Sequence, residues 1–244
     1  MKLIGFKEIQ QAQIPPIQFY KWVSEAIRCK GESLLPPKIS MKLPNHHFCN
    51  VMPCMLPAEQ AMGVKVVTRF PDKDGKKASL NSQIMLYSAE NGQQLALMDG
   101  TYITAFRTGA VAIHAMNLLA KPDFYEIGWI GLGITARAAF LVLADVFRDR
   151  PLKIKLMRYK NQAEAFASKF SGCGNIVFKL CDKIEDVMQN SDVILSCPTY
   201  TEDDFASPEI YKPGVTIIPV HTRGFMACDL VFDKIFADDE GHVK

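Results

Sequence analysis

The sequence has no surplus of either charge, no long apolar run and no paired-cysteine motif, and each absence removes a class of protein. Lys and Arg number 28 against 26 Asp and Glu, a net charge of +2, too small to imply a nucleic acid or a membrane surface as partner. No stretch approaches the roughly 18 apolar residues of a membrane span, and the N-terminus lacks the compact apolar stretch of a signal peptide. The seven cysteines (Cys29, Cys49, Cys54, Cys173, Cys181, Cys197 and Cys228) are odd in number and contain no C-x-x-C pair. They read as reduced thiols, and the chain is expected to be cytoplasmic. Asn45-His46-His47-Phe48-Cys49, with Cys54 nearby, lacks the second half of a metal-site spacing and reads as a polar loop entering a strand, so no metal is expected.

What is present is organised around Glu126 to Phe147. A short apolar run (Ile127, Trp129, Ile130) enters the turn Gly131-Leu132-Gly133, and an Ala- and Leu-rich helical pattern follows, with Ala136 at the third position of G-x-G-x-x-G/A. Gly131 permits the tight turn, Gly133 has no Cβ to hold a pyrophosphate away, and Ala136 lets helix and strand pack closely. Further strand-like runs follow at 153–158, 175–178, 192–196 and 215–220, with helical patterns at 162–170 and 184–189. That alternation predicts a doubly wound parallel sheet of Rossmann type, ligands meeting the carboxyl ends of its strands.

The first half reads differently. Phe6–Gln10 is a short strand or a helix start, and Phe19, Trp22, Val23, Ala26 and Ile27 space as one helical face. Leu35-Pro36-Pro37-Lys38 is extended. Strands follow at 48–56, 62–67, 82–88 and 95–98, with Asp72–Lys77 as a solvated hairpin loop and Glu90-Asn91-Gly92-Gln93 as a turn. Thr101 to Leu119 is helical, with Thr101 or Thr104 as N-cap. The fold class is therefore α/β: a smaller, β-rich α+β domain at 1–121 precedes a Rossmann-type nucleotide domain at 122–244. The apolar pattern from Phe225 through Phe236 predicts a helix and then a strand, ending near Asp239, that completes the second sheet.

The run Met98-Asp99-Gly100-Thr101-Tyr102-Ile103-Thr104-Ala105-Phe106-Arg107-Thr108-Gly109-Ala110, with Gly63-Val64-Lys65, Val51-Met52-Pro53 and Gly131-Leu132-Gly133, resembles the ornithine cyclodeaminase/mu-crystallin family. The resemblance covers essentially the whole chain. Family members are longer, with a final segment that returns to the first domain, so the chain looks like a C-terminally truncated member. A homodimer formed through the first domain is the expected assembly.

The resemblance implies that Lys65 and Arg107 clamp a substrate α-carboxylate, fixing the reacting Cα over a nicotinamide ring. Lys38 is the best match to a further basic residue of that clamp, with Lys42 as the rival. The implied cofactor contacts are Thr108, the turn residues Gly131, Leu132, Gly133, Ile134, Thr135 and Ala136, then Arg158, Ser196 and Val220. After the fifth strand of the nucleotide domain, relatives that cyclise ornithine carry an Asp. Here His221-Thr222-Arg223-Gly224 stands there, Arg223 nearest that position, unless Asp229 reaches back. His221 and Arg223 join Lys65 as candidate catalytic residues, His221 for proton transfer. As a simpler role, both brace the loop.

The second Rossmann strand ends Met157-Arg158-Tyr159-Lys160-Asn161. With no acid there to accept hydrogen bonds from an NAD ribose, the expectation tilts from NAD toward NADP. The implied function is a nicotinamide-dependent enzyme acting at the Cα–N bond of a small amino or imino (or keto) acid. It would be a cyclodeaminase-like lyase or an oxidoreductase, as amino-acid dehydrogenase or ketimine reductase. The alternative is a crystallin-type protein that binds cofactor or a small ligand without turnover.

Overall fold

The computed structural model describes residues 1–71, 78–221 and 223–239. The charged stretch 72–77, expected to be a hairpin loop, and Thr222 lie outside the described residues. The chain divides into two compact units, one made of Met1–Pro15, Glu25–Thr104 and the chain from Ala237, the other of Pro16–Ser24 and Ala105–Phe236.

In chain order the elements are β1 (Lys2–Ile4), α1 (Phe6–Gln11), α2 (Pro16–Arg28), β2 (Ile39–Lys42), β3 (Phe48–Leu56), β4 (Ala61–Pro71), β5 (Ala78–Ser88), β6 (Gln94–Asp99) and α3 (Thr101–Leu119). The six strands form one sheet in the order β1-β6-β5-β4-β3-β2, antiparallel except for the β1–β6 pair. The two edge strands lie outside the sequence expectation, being three and four residues long, too short to show an alternation. The register sets Lys65 opposite Ile84 and Val67 opposite Ser82 on one face, with Val66 opposite Gln83 on the other. Val67 and Ser82 are buried.

The start of α3 is fixed by that sheet. The Gly100 N–H donates to the Ser82 carbonyl at 2.7 Å, and the Thr104 hydroxyl donates to Ser82 Oγ at 3.2 Å. The carboxylate serving the helix start comes from Asp99, whose Oδ1 accepts the Thr101 N–H at 2.8 Å. Neither threonine expected as N-cap supplies it. Of the apolar face read on α2, only Phe19 is buried, stacked on Phe106 at 4.6 Å, while Trp22 is 52% exposed.

The second unit continues with β7 (Glu126–Ile130), α4 (Ile134–Val146), β8 (Leu152–Met157), α5 (Gln162–Lys169), β9 (Ile176–Cys181), α6 (Ile184–Met188), β10 (Val193–Ser196) and β11 (Thr216–Pro219). The strands are all parallel, in the order β11-β10-β7-β8-β9. The order reverses between β7 and β10, the switch point where such sheets open a crevice for ligands. Ile127 and Trp129 are fully buried, and Trp129, Phe140, Phe166, Phe170 and Phe178 form one aromatic cluster between sheet and helices. The parallel sheet and the separate β-rich sheet together are the α/β class read from the sequence.

The C-terminal expectation is corrected. A short 3-10 helix spans Met226–Leu230, and among the described residues no strand follows it. Asp204 accepts the N–H groups of Met226 and Ala227 at 2.6 and 2.7 Å, which closes a single turn. Phe225, Cys228 and Phe232 pack on the core around Tyr211, whereas Leu230 is 88% exposed and Ile235 and Phe236 are each 62% exposed. A strand would need a neighbouring strand's backbone to pair with, whereas the N–H groups of Cys228, Val231 and Phe232 donate to carbonyls three or four residues back, at Phe225 and Cys228.

The alignment of β10 with β7 rests on Asp192. Its Oδ2 accepts the N–H groups of Tyr125 and Glu126 at 2.9 and 2.8 Å, and Lys212 pairs with the other oxygen. Burial alone would raise this carboxyl, but the Lys212 ammonium and the two backbone donors outweigh it and hold it below the ordinary carboxylate range. A depressed folded value means stabilisation that is present above the unfolded value of about 3.9 and lost as pH falls through the folded one. Asp192→Ala is expected to cost about 3 kcal/mol at neutral pH. The measurement is urea unfolding of parent and variant at neutral and acid pH, and the gap should narrow on acidification.

Candidate functional site

At the carboxyl end of β7 the chain turns through Gly131, whose φ of +77° suits a residue without a side chain. A Cβ there would lie 2.6 Å from the Pro198 nitrogen and 2.8 Å from the Cys197 carbonyl carbon, so the turn is pressed against the chain leaving β10. Leu132 is buried beneath it. Gly133 is the N-cap of α4, in extended geometry and without a side-chain cap. A Cβ at Gly133 would meet nothing within 4 Å. The protein's own packing therefore gives no reason for glycine at 133, and the open space lies where the first N–H groups of α4 point. Ile134 is 48% exposed at the mouth, and Ala136 is fully buried against the sheet. This is the cradle a pyrophosphate needs, and the residues present fit a dinucleotide.

Thr108 and Arg107 occupy α3 just ahead of Gly109, where a Cβ would fall 2.6 Å from the Ala139 nitrogen of α4. The two helices touch backbone to backbone at that point, which fixes the turn carrying Arg107 and Thr108. In the first unit, Lys65 pairs with Met52 and Ile84. Lys38 precedes β2 by one residue. Extending the Ile39–Val51 pairing by one step sets it opposite Met52, the partner of Lys65, whereas Lys42 is opposite Phe48, the partner of Arg69. Register thus favours Lys38 over Lys42 as companion to Lys65.

The ends of β10 and β11 come together in the second unit. Ser196, fully buried and in register with Ile130, has its Oγ 2.6 Å from His221 Nε2, and the Val220 N–H donates to the Ser196 carbonyl at 2.8 Å. The His221 ring lies edge-on to Phe205 at 5.9 Å and tilted on Phe225 at 6.4 Å. Burial pushes its pKa below the ordinary imidazole value, against a smaller opposing effect of the Arg223 backbone, so the ring is neutral near pH 7. Burial also pushes the neighbouring Cys197 thiol up to about 12, which leaves no thiolate there for nucleophilic chemistry. A cavity of about 90 Å³ is lined by Pro219, His221, Arg223, Phe225, Met226 and Asp229. Arg223 and Asp229, the two readings of the loop, both reach it. Gly224, at φ +106° and with a would-be Cβ 2.6 Å from the Phe205 ring, makes the bend that allows this.

Arg158, one residue past β8, is not alone. Its Nε donates to Glu164 at 2.8 Å and its Nη1 to Asp182 at 2.7 Å. Those two carboxylates went unread in the sequence; their only signal was position, one in the first turn of α5 and one just past β9. Among the described residues no cluster of metal-binding side chains occurs.

The model of the ornithine cyclodeaminase/mu-crystallin family matches residues 14–232. The chain belongs to that family. Within it, the mouse ketimine reductase mu-crystallin is 29% identical over 189 residues, 77% of this chain and 58% of that relative. The Bacillus cereus Delta(1)-pyrroline-2-carboxylate reductase is 32% identical over 172 residues, 68% of this chain and 51% of the relative. The chain thus spans between half and three-fifths of the length of these relatives. The structure of Thermococcus litoralis Delta(1)-pyrroline-2-carboxylate reductase in complex with NADH and L-proline superimposes with a TM-score of 0.79 at 27% identity, covering 89% of this chain and 68% of that one.

Proposed function

We propose that this family member is a nicotinamide-dependent reductase of small imino acids, acting at the Cα–N bond of a cyclic ketimine carboxylate such as Delta(1)-pyrroline-2-carboxylate. The observation that carries the reading is the continuity of the second unit's ligand face. The open Gly133 cradle adjoins the Gly131 turn, that turn lies on Cys197–Pro198, and the neighbouring Ser196 bonds His221, which lines the cavity with Arg223 and Asp229. The substrate classes in the names of the two relatives and of the solved structure support the imino-acid choice.

In this reading residues 1–121 supply the carboxylate clamp and form the homodimer, and the chain from 122 on binds NAD or NADP. Lys65, Arg107 and Lys38 hold the α-carboxylate as charge-assisted hydrogen-bond donors. A nicotinamide held there would supply the hydride that Cα accepts, and the imine nitrogen takes a proton. His221, its Nε2 engaged by Ser196 and its ring fixed between phenylalanines, orients the loop. Asp229, exposed on the same cavity lining as Arg223, relays that proton from solvent. The sheet face opposite Lys65, where Ile39 and Met41 are 60% and 50% exposed, is the surface for the second copy.

The test mixes the protein with NADH or NADPH and the cyclic ketimine and follows loss of the reduced nicotinamide absorbance. Turnover is expected, with Asp229→Asn lowering kcat about 100-fold at little change in KM. Binding of cofactor with no absorbance change on imino acids, amino acids or keto acids with amines would establish the non-catalytic binding protein instead.

A further inference from the structure

We propose that Glu164 and Asp182 set the cofactor preference of the nucleotide unit, by holding Arg158 in an ion-paired state that turns away a ribose 2′-phosphate and admits the 2′-hydroxyl of NAD. The inference rests on the reading of the glycine turn as a dinucleotide site and adds which dinucleotide it takes. β8 is the neighbour of β7, and the residue following it occupies the position from which this fold meets the adenosine ribose. Taken alone, Arg158 at that point would attract a phosphate.

The structure gives it two carboxylates. Glu164 lies in the first turn of α5, where a negative charge is itself favoured by the helix dipole. Asp182 directly follows β9, and the Arg158 N–H donates to the Cys181 carbonyl at 2.9 Å, which holds the two strand ends side by side. The two bonds leave from different nitrogens, Nε and Nη1, so the guanidinium is held from two directions. One cation between two anions gives the trio a net negative charge. An incoming dianionic phosphate must displace a carboxylate or sit beside both, whereas a hydroxyl can donate to one of them. Asp182 is suited to that acceptance, since its side chain is 76% exposed and Arg158 engages one of its oxygens. Lys160, whose ammonium lies over the Tyr159 ring at 5.3 Å, and Lys183, which follows Asp182, are not among the ion-pair partners of the two carboxylates, which both engage Arg158. The acid missing from the end of β8 is in effect supplied by the end of β9.

All three side chains are 40% or more exposed, so each pair is screened by solvent, and the discrimination comes from their sum acting on a multiply charged ligand. The experiment is direct titration of the full chain with NADH and with NADPH, followed by nicotinamide fluorescence, with no turnover required. The parent is expected to bind NADH more tightly. Glu164→Gln with Asp182→Asn should shift the ratio of dissociation constants toward NADPH by at least about tenfold, and adding Arg158→Ala should abolish that shift. Asp182→Asn alone, at an exposed position, should give part of the shift and serves if the double variant melts early. An unmoved ratio, or a parent that already prefers NADPH, overturns the proposal while leaving the dinucleotide site standing. Binding of neither cofactor to the parent overturns both.

Discussion

Gly133→Val is expected to abolish dinucleotide binding while leaving the fold as stable as the parent. The two halves of that expectation come from separate observations. Position 133 has φ −74° and ψ −165°, extended geometry that a β-branched residue adopts readily, and an added Cβ meets no protein atom within 4 Å. No packing contact resists a Cβ at this position. The space the side chain would enter is the space in front of the uncapped N-terminus of α4, where a pyrophosphate must approach the backbone N–H groups closely. A weakening of at least about 100-fold for both NADH and NADPH is expected, with the midpoint of thermal unfolding shifted by no more than about 2 °C. Gly131→Ala provides the contrast. At φ +77°, with the Pro198 nitrogen 2.6 Å from the new Cβ, it should lower the melting temperature itself. Titration and melting of both variants separate a ligand-imposed glycine from a fold-imposed one. Binding by Gly133→Val as tight as the parent's would show that the cradle holds no cofactor.

The fold is legible where a physical signal repeats. The second unit's strands and helices alternate at regular spacing, and its glycine turn sits between a buried strand and a helix whose small residues face that strand, so the sequence carries both the elements and their order. The first sheet is legible in its long inner strands. Its edges are not, because three or four residues cannot display a period. The segment after Gly224 misleads for the opposite reason. Its apolar residues are numerous, yet only Phe225, Cys228 and Phe232 find a core, and a hydrophobicity count does not reveal which side chains will have neighbours.

The site is legible residue by residue but not pair by pair. Gly131 makes a left-handed turn, Gly133 is an open helix N-cap and Ala136 is buried, and His221, Arg223 and Asp229 line one cavity. Their partners come from elsewhere in the chain. Ser196 reaches His221 across 25 residues, and Asp182 reaches Arg158 across 24. A local reading assigns Arg158 a free positive charge and His221 a free imidazole; tertiary contacts alter both. Lys155 shows the same limit. Buried at 3% exposure, it donates to the Gln189 carbonyl at 2.6 Å and pairs with Glu126 at 3.2 Å, inside a strand that reads simply as alternating.

Gly109→Val is expected to be the most damaging single substitution to stability considered for this chain. Glycine within a helix is a cost, about 1 kcal/mol relative to alanine, so its presence in the middle of α3 calls for a compensating gain. The gain is contact. Built on Gly109, a Cβ would stand 2.6 Å from the Ala139 nitrogen, 2.8 Å from its Cα and 3.1 Å from the Ala138 carbonyl carbon. All three are backbone atoms of α4, which cannot swing aside as the end of a side chain would. The surroundings are equally fixed, since Ala105, Ala110, Ala112 and Ile113 on α3 and Ala136, Ala138 and Ala139 on α4 are all buried. To admit a valine the helices must separate, opening gaps along the whole contact. A loss on the order of 5 kcal/mol is expected, and roughly half of that for Gly109→Ala, where the better helix propensity offsets part of the overlap. Because Arg107 and Thr108 lie on the turn that this contact holds, the alanine variant, if it folds, should also bind dinucleotide more weakly. Denaturant unfolding of both variants is the measurement. A Gly109→Ala protein as stable as the parent, or more so, would mean that the two helices do not meet backbone to backbone at this position.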